Sequence, residues 1–128
     1  RRDGVPGRGA RPLGVKAMSG NKSRRKGAQW ERDLVHRFQQ AMSGATVRRG
    51  LQVRSGEEAP DVDVPCFWLE AKRHKRTNIK AALRQAFSDS PPGRWPIAVC
   101  KDDRAPAIVA IDLDDFLELI EEWWEGRR

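Results

Sequence analysis

A chain of 128 residues carrying 25 Lys/Arg against 18 Asp/Glu, net +7, is one domain by size and long enough to bury a core. Residues 1–60 hold 14 Lys/Arg and 5 Asp/Glu while residues 61–128 hold 11 and 13, a basic front half that suits a polyanion, and without a spanning or amphipathic apolar segment this points to nucleic acid rather than membrane. Cys66 and Cys100 lie in separate apolar runs and His36 and His74 stand alone, which excludes a disulfide framework, a zinc site and a His-metal nuclease; the thiols read as buried in a reducing cytosol, with no secretory h-region.

Residues 1–27 are rich in Gly, Arg and Pro and lack an apolar period, so they are expected to be a disordered basic tail, with the folded domain over 28–125. Met18 opens MSGNKSRRKG and is a candidate natural start. Arg24, Arg25 and Lys26 are placed to grip a phosphate backbone without sequence preference. From Gly27 to Met42 a helical period sets in, with Leu34, Val35, Phe38, Ala41 and Met42 on one face. Glu31 falls on that face too. A carboxylate there needs a cation, a metal-bound water or an exit to solvent, and a surface pair with Arg32 or Lys26 would also satisfy it. Ala45–Arg49 is a short strand candidate, and the polar loop of residues 50–59 follows, so that Arg48, Arg49 and Arg54 are placed to meet phosphates by bidentate hydrogen bonds.

The stretch PDVDVPCFWLEAKR, residues 60–73, then reads as a hairpin. By strand alternation Glu70 and Lys72 share one face, and Ala71 lends only its carbonyl. Asp61 and Asp63 share a face upstream, and either could join them. Two carboxylates, a carbonyl and an ammonium at one spot make an oxygen-rich cage for a hard divalent cation with a positive charge beside it, which is chemistry for phosphate esters. An acid-x-Lys triplet alone arises by chance about once in 140 residues. What raises it is context: an apolar run before it, Pro60–Asp61 at hairpin distance, and a helix after it. Arg73, Lys75 and Arg76 add cations where the strand ends.

Thr77 or Asn78 can cap the next helix, in which Ile79, Ala82, Leu83, Ala86 and Phe87 recur at helical spacing. Residues 96–101 and 107–111 are two short apolar strands. Asp112 caps a last helix with Leu113, Phe116, Leu117, Ile120, Trp123 and Trp124 on one face and a solvated row of acids opposite. The predicted order is α-β-β-β-α-β-β-α, in which one helix precedes a hairpin-built sheet and another crosses to further strands.

The Pro60–Asp61 and Glu70-Ala71-Lys72 elements make this segment resemble the PD-(D/E)xK nuclease superfamily. The run from Trp30 to Leu119 is similar to the archaeal-type Holliday junction resolvases and their phage-encoded relatives. The resemblance implies an α/β restriction-endonuclease-like core, a mixed central sheet flanked by helices, and a Mg²⁺-dependent endonuclease, with Mn²⁺ able to substitute, in the cytoplasm of a bacterium or a phage-infected host. It selects Asp61 over Asp63 as metal ligand beside Glu70 and the Ala71 carbonyl, leaving Asp63 in reserve, and it makes Lys72 the catalytic amine. GAQWERDLV matches the family's first helix at Glu31, which implies that Glu31 stands in or next to the metal site. Gln85 takes a place comparable to a supporting Gln of some members, although the position four residues on is Asp89 and the chain has no tyrosine. The implied substrate is branched DNA, a four-way junction above all, and cutting two opposed strands implies a homodimer. The competing expectation is a non-catalytic basic nucleic-acid-binding domain with a decayed site, which charge asymmetry fits equally well.

Overall fold

Trp30 and Leu34, one helical turn apart, bury their side chains against a five-stranded mixed sheet that runs through the middle of the protein. The computed structural model describes residues 13–50 and 59–127, the side chains of 13–21 excepted. In chain order these form α1 (Leu13–Ala41), β1 (Arg48–Arg49), β2 (Val62–Val64), β3 (Phe67–His74), α2 (Ile79–Asp89), β4 (Trp95–Asp102), β5 (Ile108–Ile111) and α3 (Leu113–Arg127). The class and the order of elements are those predicted.

The sheet order is β1-β2-β3-β4-β5, with β3 in the centre. β1, β2 and β3 are joined antiparallel, with Val62 opposite Leu69 and Val64 opposite Phe67. α2 carries the chain over to β4, which therefore lies parallel to β3, and β5 returns antiparallel as the far edge. Strand alternation gives the sheet two unlike faces. Leu69, Val62, Val64, Ile97 and Val99 meet α1 in the larger core, where the Trp30 indole N–H donates to the Val99 carbonyl at 3.3 Å. The α2 face is built from smaller groups, Ala82, Ala98 and Cys100. Glu70 is level with Ala98 and Lys72 with Cys100, so both project to that thinner side.

α1 begins at Leu13, well before the Gly27 start expected from periodicity. Residues 13–27 are thus helical rather than a structureless tail, and residues 1–12 lie outside the described residues. Ala, Met, Lys and Arg in this stretch favour helix without needing a buried face, so no apolar period marks it. Gly44, at φ 87°, supplies the left-handed turn after the helix end. At the other helix starts, Asn78 accepts from the Ala81 N–H at 3.1 Å and Asp112 from the Asp114 N–H at 3.1 Å.

Cys66 departs from expectation. It is exposed, at φ 74°, in the turn between β2 and β3, whereas Cys100 is buried as predicted. Pro65 has no N–H to continue the ladder, so the apolar run breaks into a turn there. Among the described residues no helix is long and apolar enough to cross a membrane.

Candidate metal centre

The hairpin register decides the site. The Asp61 N–H donates to the Leu69 carbonyl at 3.0 Å, continuing the ladder one step past the Val62–Leu69 pair and setting Asp61 beside Glu70. Its carboxylate is fixed by the Ala71 N–H, which donates to Oδ2 at 2.8 Å. Glu70 is the one buried charged side chain among the described residues, 5 % exposed. The two carboxyls share a hydrogen bond, and the Lys72 Nζ lies 3.9 Å from Glu70 Oε2.

Burial and the Asp61 charge push Glu70 up to about 7, with Lys72 opposing and Asp89 adding to the rise. Asp61 is raised as well, by burial first, against the pull of the Ala71 N–H and of Lys72. Glu31 reaches this neighbourhood from α1. Burial raises its carboxyl, the Arg49 guanidinium holds it at 3.0 Å and lowers it, and the charge of Asp61 raises it further. The partner of Glu31 is therefore Arg49 rather than Arg32 or Lys26.

Asp63 is not part of the cluster. Arg94 donates to it at 3.2 Å and to the Phe67 carbonyl at 3.2 Å, and Arg48 stands 3.7 Å away, so Asp63 braces the hairpin instead. Gln85 is exposed on α2, and the charge that α2 brings to the pair is Asp89, at its last turn. The sequence held one signal for this: Asp89 lies four residues after Gln85, on the same stretch of helix surface.

The basic residues flank the acids in two groups. Arg48 and Arg49 stand on the β1 edge. Beyond the end of β3, His74, Lys75, Arg76 and Arg104 line an open basin with Asp103 at its wall. Lys26 from α1 holds Asp103 at 3.0 Å and Arg73 approaches it at 3.6 Å, so Asp103 is neutralised and pinned. Asp103 is a residue that motif reading missed, because its partners come from two separate segments, α1 and β3. Arg24 and Arg25 are exposed on α1 directly before Lys26, and Arg54 lies outside the described residues.

No protein-family model, no curated protein and no solved structure matches this chain.

The donor set fits a hard cation. Asp61, Glu70 and the Ala71 carbonyl offer oxygen only, whereas thiolate or imidazole would suit softer metals. Among the described residues no group of three or more His, Cys, Asp or Glu side chains converges. An ion held here would take two carboxylates and a carbonyl from the protein and keep water elsewhere, which matches the reluctance of Mg²⁺ to dehydrate.

Proposed function

We propose that this protein is a Mg²⁺-dependent endonuclease that hydrolyses DNA phosphodiesters, with Mn²⁺ able to substitute, on a restriction-endonuclease-like core. The observation that carries the reading is the register that sets half-buried Asp61 against buried Glu70 beside the Lys72 ammonium. Two carboxyls forced together out of water are costly, and a fold that needed only stability would place apolar groups there. A divalent cation removes the repulsion, and perturbed carboxyls of this kind mark functional sites.

When bound, the cation supplies Lewis-acid polarisation of the phosphate and acidification of a water. The chain's own residues do the rest. Asp61, oriented by the Ala71 N–H on one oxygen, presents the other, and Glu70 in its ionised form is the second anionic donor. Lys72 sets its ammonium against the charge that grows on the phosphoryl oxygens, or orients the attacking water by a hydrogen bond. Arg49 holds Glu31 at the edge of the pair, where its carboxylate can accept from that water. The basic basin past β3 and the arginines of β1 bind the substrate backbone on either side.

Branched DNA is the substrate we assign, on the basis of the resemblance to junction resolvases. The test is a cleavage assay on four-way junction, flap and linear duplex with Mg²⁺. Cutting of the junction in preference to duplex supports the assignment, and equal cutting of all three leaves a general endonuclease. A folded protein that binds junction and never cuts it, with Mg²⁺ or Mn²⁺, is instead a nucleic-acid-binding domain.

A further inference from the structure

Lys26 and Arg73 are among the cations that the sequence offers to phosphate, and in the structure both face Asp103 instead. The Lys26 Nζ donates to both carboxylate oxygens at 3.0 Å, whereas the Arg73 Nε stands 3.6 Å from Oδ1, too far for a hydrogen bond. That Nε is buried and has no hydrogen-bond partner among the described residues. Asp103 belongs to the wall of the open basin that His74, Lys75, Arg76 and Arg104 line, all four of them exposed. The Lys26 hydrogen bond holds its carboxyl below the ordinary range, so an anion sits among these cations at neutral pH.

The fold does not depend on this ion pair. Backbone contacts fix the turn between β4 and β5: the Asp103 N–H donates to the His74 carbonyl at 3.1 Å and the Ala105 N–H to the Asp102 carbonyl at 3.2 Å. The Lys101 Nζ braces the same turn through the Ala105 carbonyl at 2.7 Å. α1 is anchored by its buried Trp30 and Leu34. The neighbouring Asp102 has a structural task, accepting from the Thr77 N–H at 2.7 Å and from its hydroxyl at 2.6 Å where β3 leads into α2. Asp103 has no such task. Its side chain and that of Lys26 are 34 % and 40 % exposed, and pairs so placed add little stability.

We propose that Asp103 is an internal stand-in for a backbone phosphate: it occupies the anion position between Lys26 and Arg73 in the free protein, and nucleic acid displaces it on binding. The short aspartate side chain is tied to the turn and satisfies Lys26 alone, leaving the Arg73 Nε without an acceptor. A phosphodiester carries the same single charge on two oxygens but is not tethered, so it can settle between both cations. The displaced carboxylate turns to water. Asp103 then sets selectivity, because any polyanion must outcompete it. A lone phosphate gains little at this position, and a backbone that also reaches Lys75, Arg76 and Arg104 gains most.

This inference rests on the nucleic-acid binding of the proposed function and not on cleavage, so it is tested in EDTA. Binding of the full chain to a labelled linear DNA duplex is followed by fluorescence anisotropy over a KCl series. Asp103→Asn keeps an acceptor for Lys26 and removes the charge. It is expected to bind about fivefold tighter at low salt, the size of one unit-charge contact in water, and to steepen the salt slope by about one. Asp103→Glu, which restores the charge, is expected to bind like wild type. Lys26→Ala is expected to lose more affinity in the Asp103→Asn background than in wild type, where that lysine must first leave its acid. If Asp103→Asn lowers the melting temperature, Asp103→Ser takes its place. Unchanged or weaker binding by the folded variant overturns the proposal and makes Asp103 a brace for α1. Equal Lys26→Ala losses in both backgrounds overturn it too, since the acid then acts only as a distant charge. The expected binding results without any cleavage in Mg²⁺ support this proposal and overturn only the nuclease reading, whereas a protein that binds no DNA overturns both.

Discussion

Asp61 and Glu70 stand side by side across the β2–β3 hairpin, and burial raises both carboxyls, with the Asp61 charge adding to the rise of Glu70 to about 7. Glu70 is buried and Asp61 half-buried on the sheet face that α2 covers, with the Lys72 ammonium 3.9 Å from Glu70. Much of the behaviour expected of this protein follows from that one contact.

Replacing Glu70 by Gln keeps a hydrogen-bond donor in place but removes the second anion. The Glu70→Gln protein is expected to fold and to bind junction DNA within about twofold of wild type, while losing Mg²⁺-dependent cleavage by at least ~10²-fold. Lys72→Ala is expected to behave alike. Gel shift and single-turnover cleavage on the same preparations check both, and joint loss of binding and cleavage in a folded variant would separate this site from the proposed roles.

Stability should depend on pH through the same group. Glu70 is raised from an ordinary value of 4.5 to about 7, so between these values the folded protein binds more protons than the unfolded chain. In EDTA its contribution is then most favourable below pH ~4.5 and is lost as pH rises through about 7. Subtracting the melting temperatures of Glu70→Gln from those of wild type isolates the trend. At pH 8, Mg²⁺ is expected to raise the melting temperature of wild type and to leave the variant nearly unmoved.

Asp89 and Gln85 make a paired test of which α2 residue serves the site. Asp89→Asn removes a charge that raises both Asp61 and Glu70, and so should lower the pH at which Mg²⁺ binding sets in and weaken Mg²⁺ affinity several-fold. Gln85→Ala, at an exposed position, should change neither. Mg²⁺ titrations followed by tryptophan fluorescence over a pH series decide between them.

The basin past β3 should act on affinity alone. Lys75→Ala with Arg76→Ala is expected to weaken binding to every DNA sequence equally and to reduce the salt slope by about 2, since each lysine or arginine on a phosphate accounts for roughly one unit. Cleavage of saturated substrate should persist. A binding loss confined to one sequence would contradict a backbone-only role.

Leu34, 2 % exposed where α1 meets the sheet, is the anchor of the larger core. Leu34→Ala should cost about 2–5 kcal/mol in a denaturant melt. An effect below ~1 kcal/mol would mean that α1 contributes little to the folded domain.

The local order of this protein was legible in its sequence. The apolar run before Glu70 located β3, side-chain alternation along a strand put Glu70 and Lys72 on one face, and helical spacing located α2 and α3. Those patterns are written by short-range geometry, two residues per pleat or 3.6 per turn. Strand parity left Asp61 and Asp63 open and the resemblance favoured Asp61; the tertiary structure separated them physically, through partners brought from elsewhere: the Ala71 N–H for one, Arg94 and Arg48 for the other. It also decided that Glu31 pairs with Arg49 and that Asp103 gathers Lys26 and Arg73. The apolar face of α3 was plain from spacing, whereas its lack of cover within the chain was not, since periodicity tells which side seeks burial and says nothing of what lies opposite.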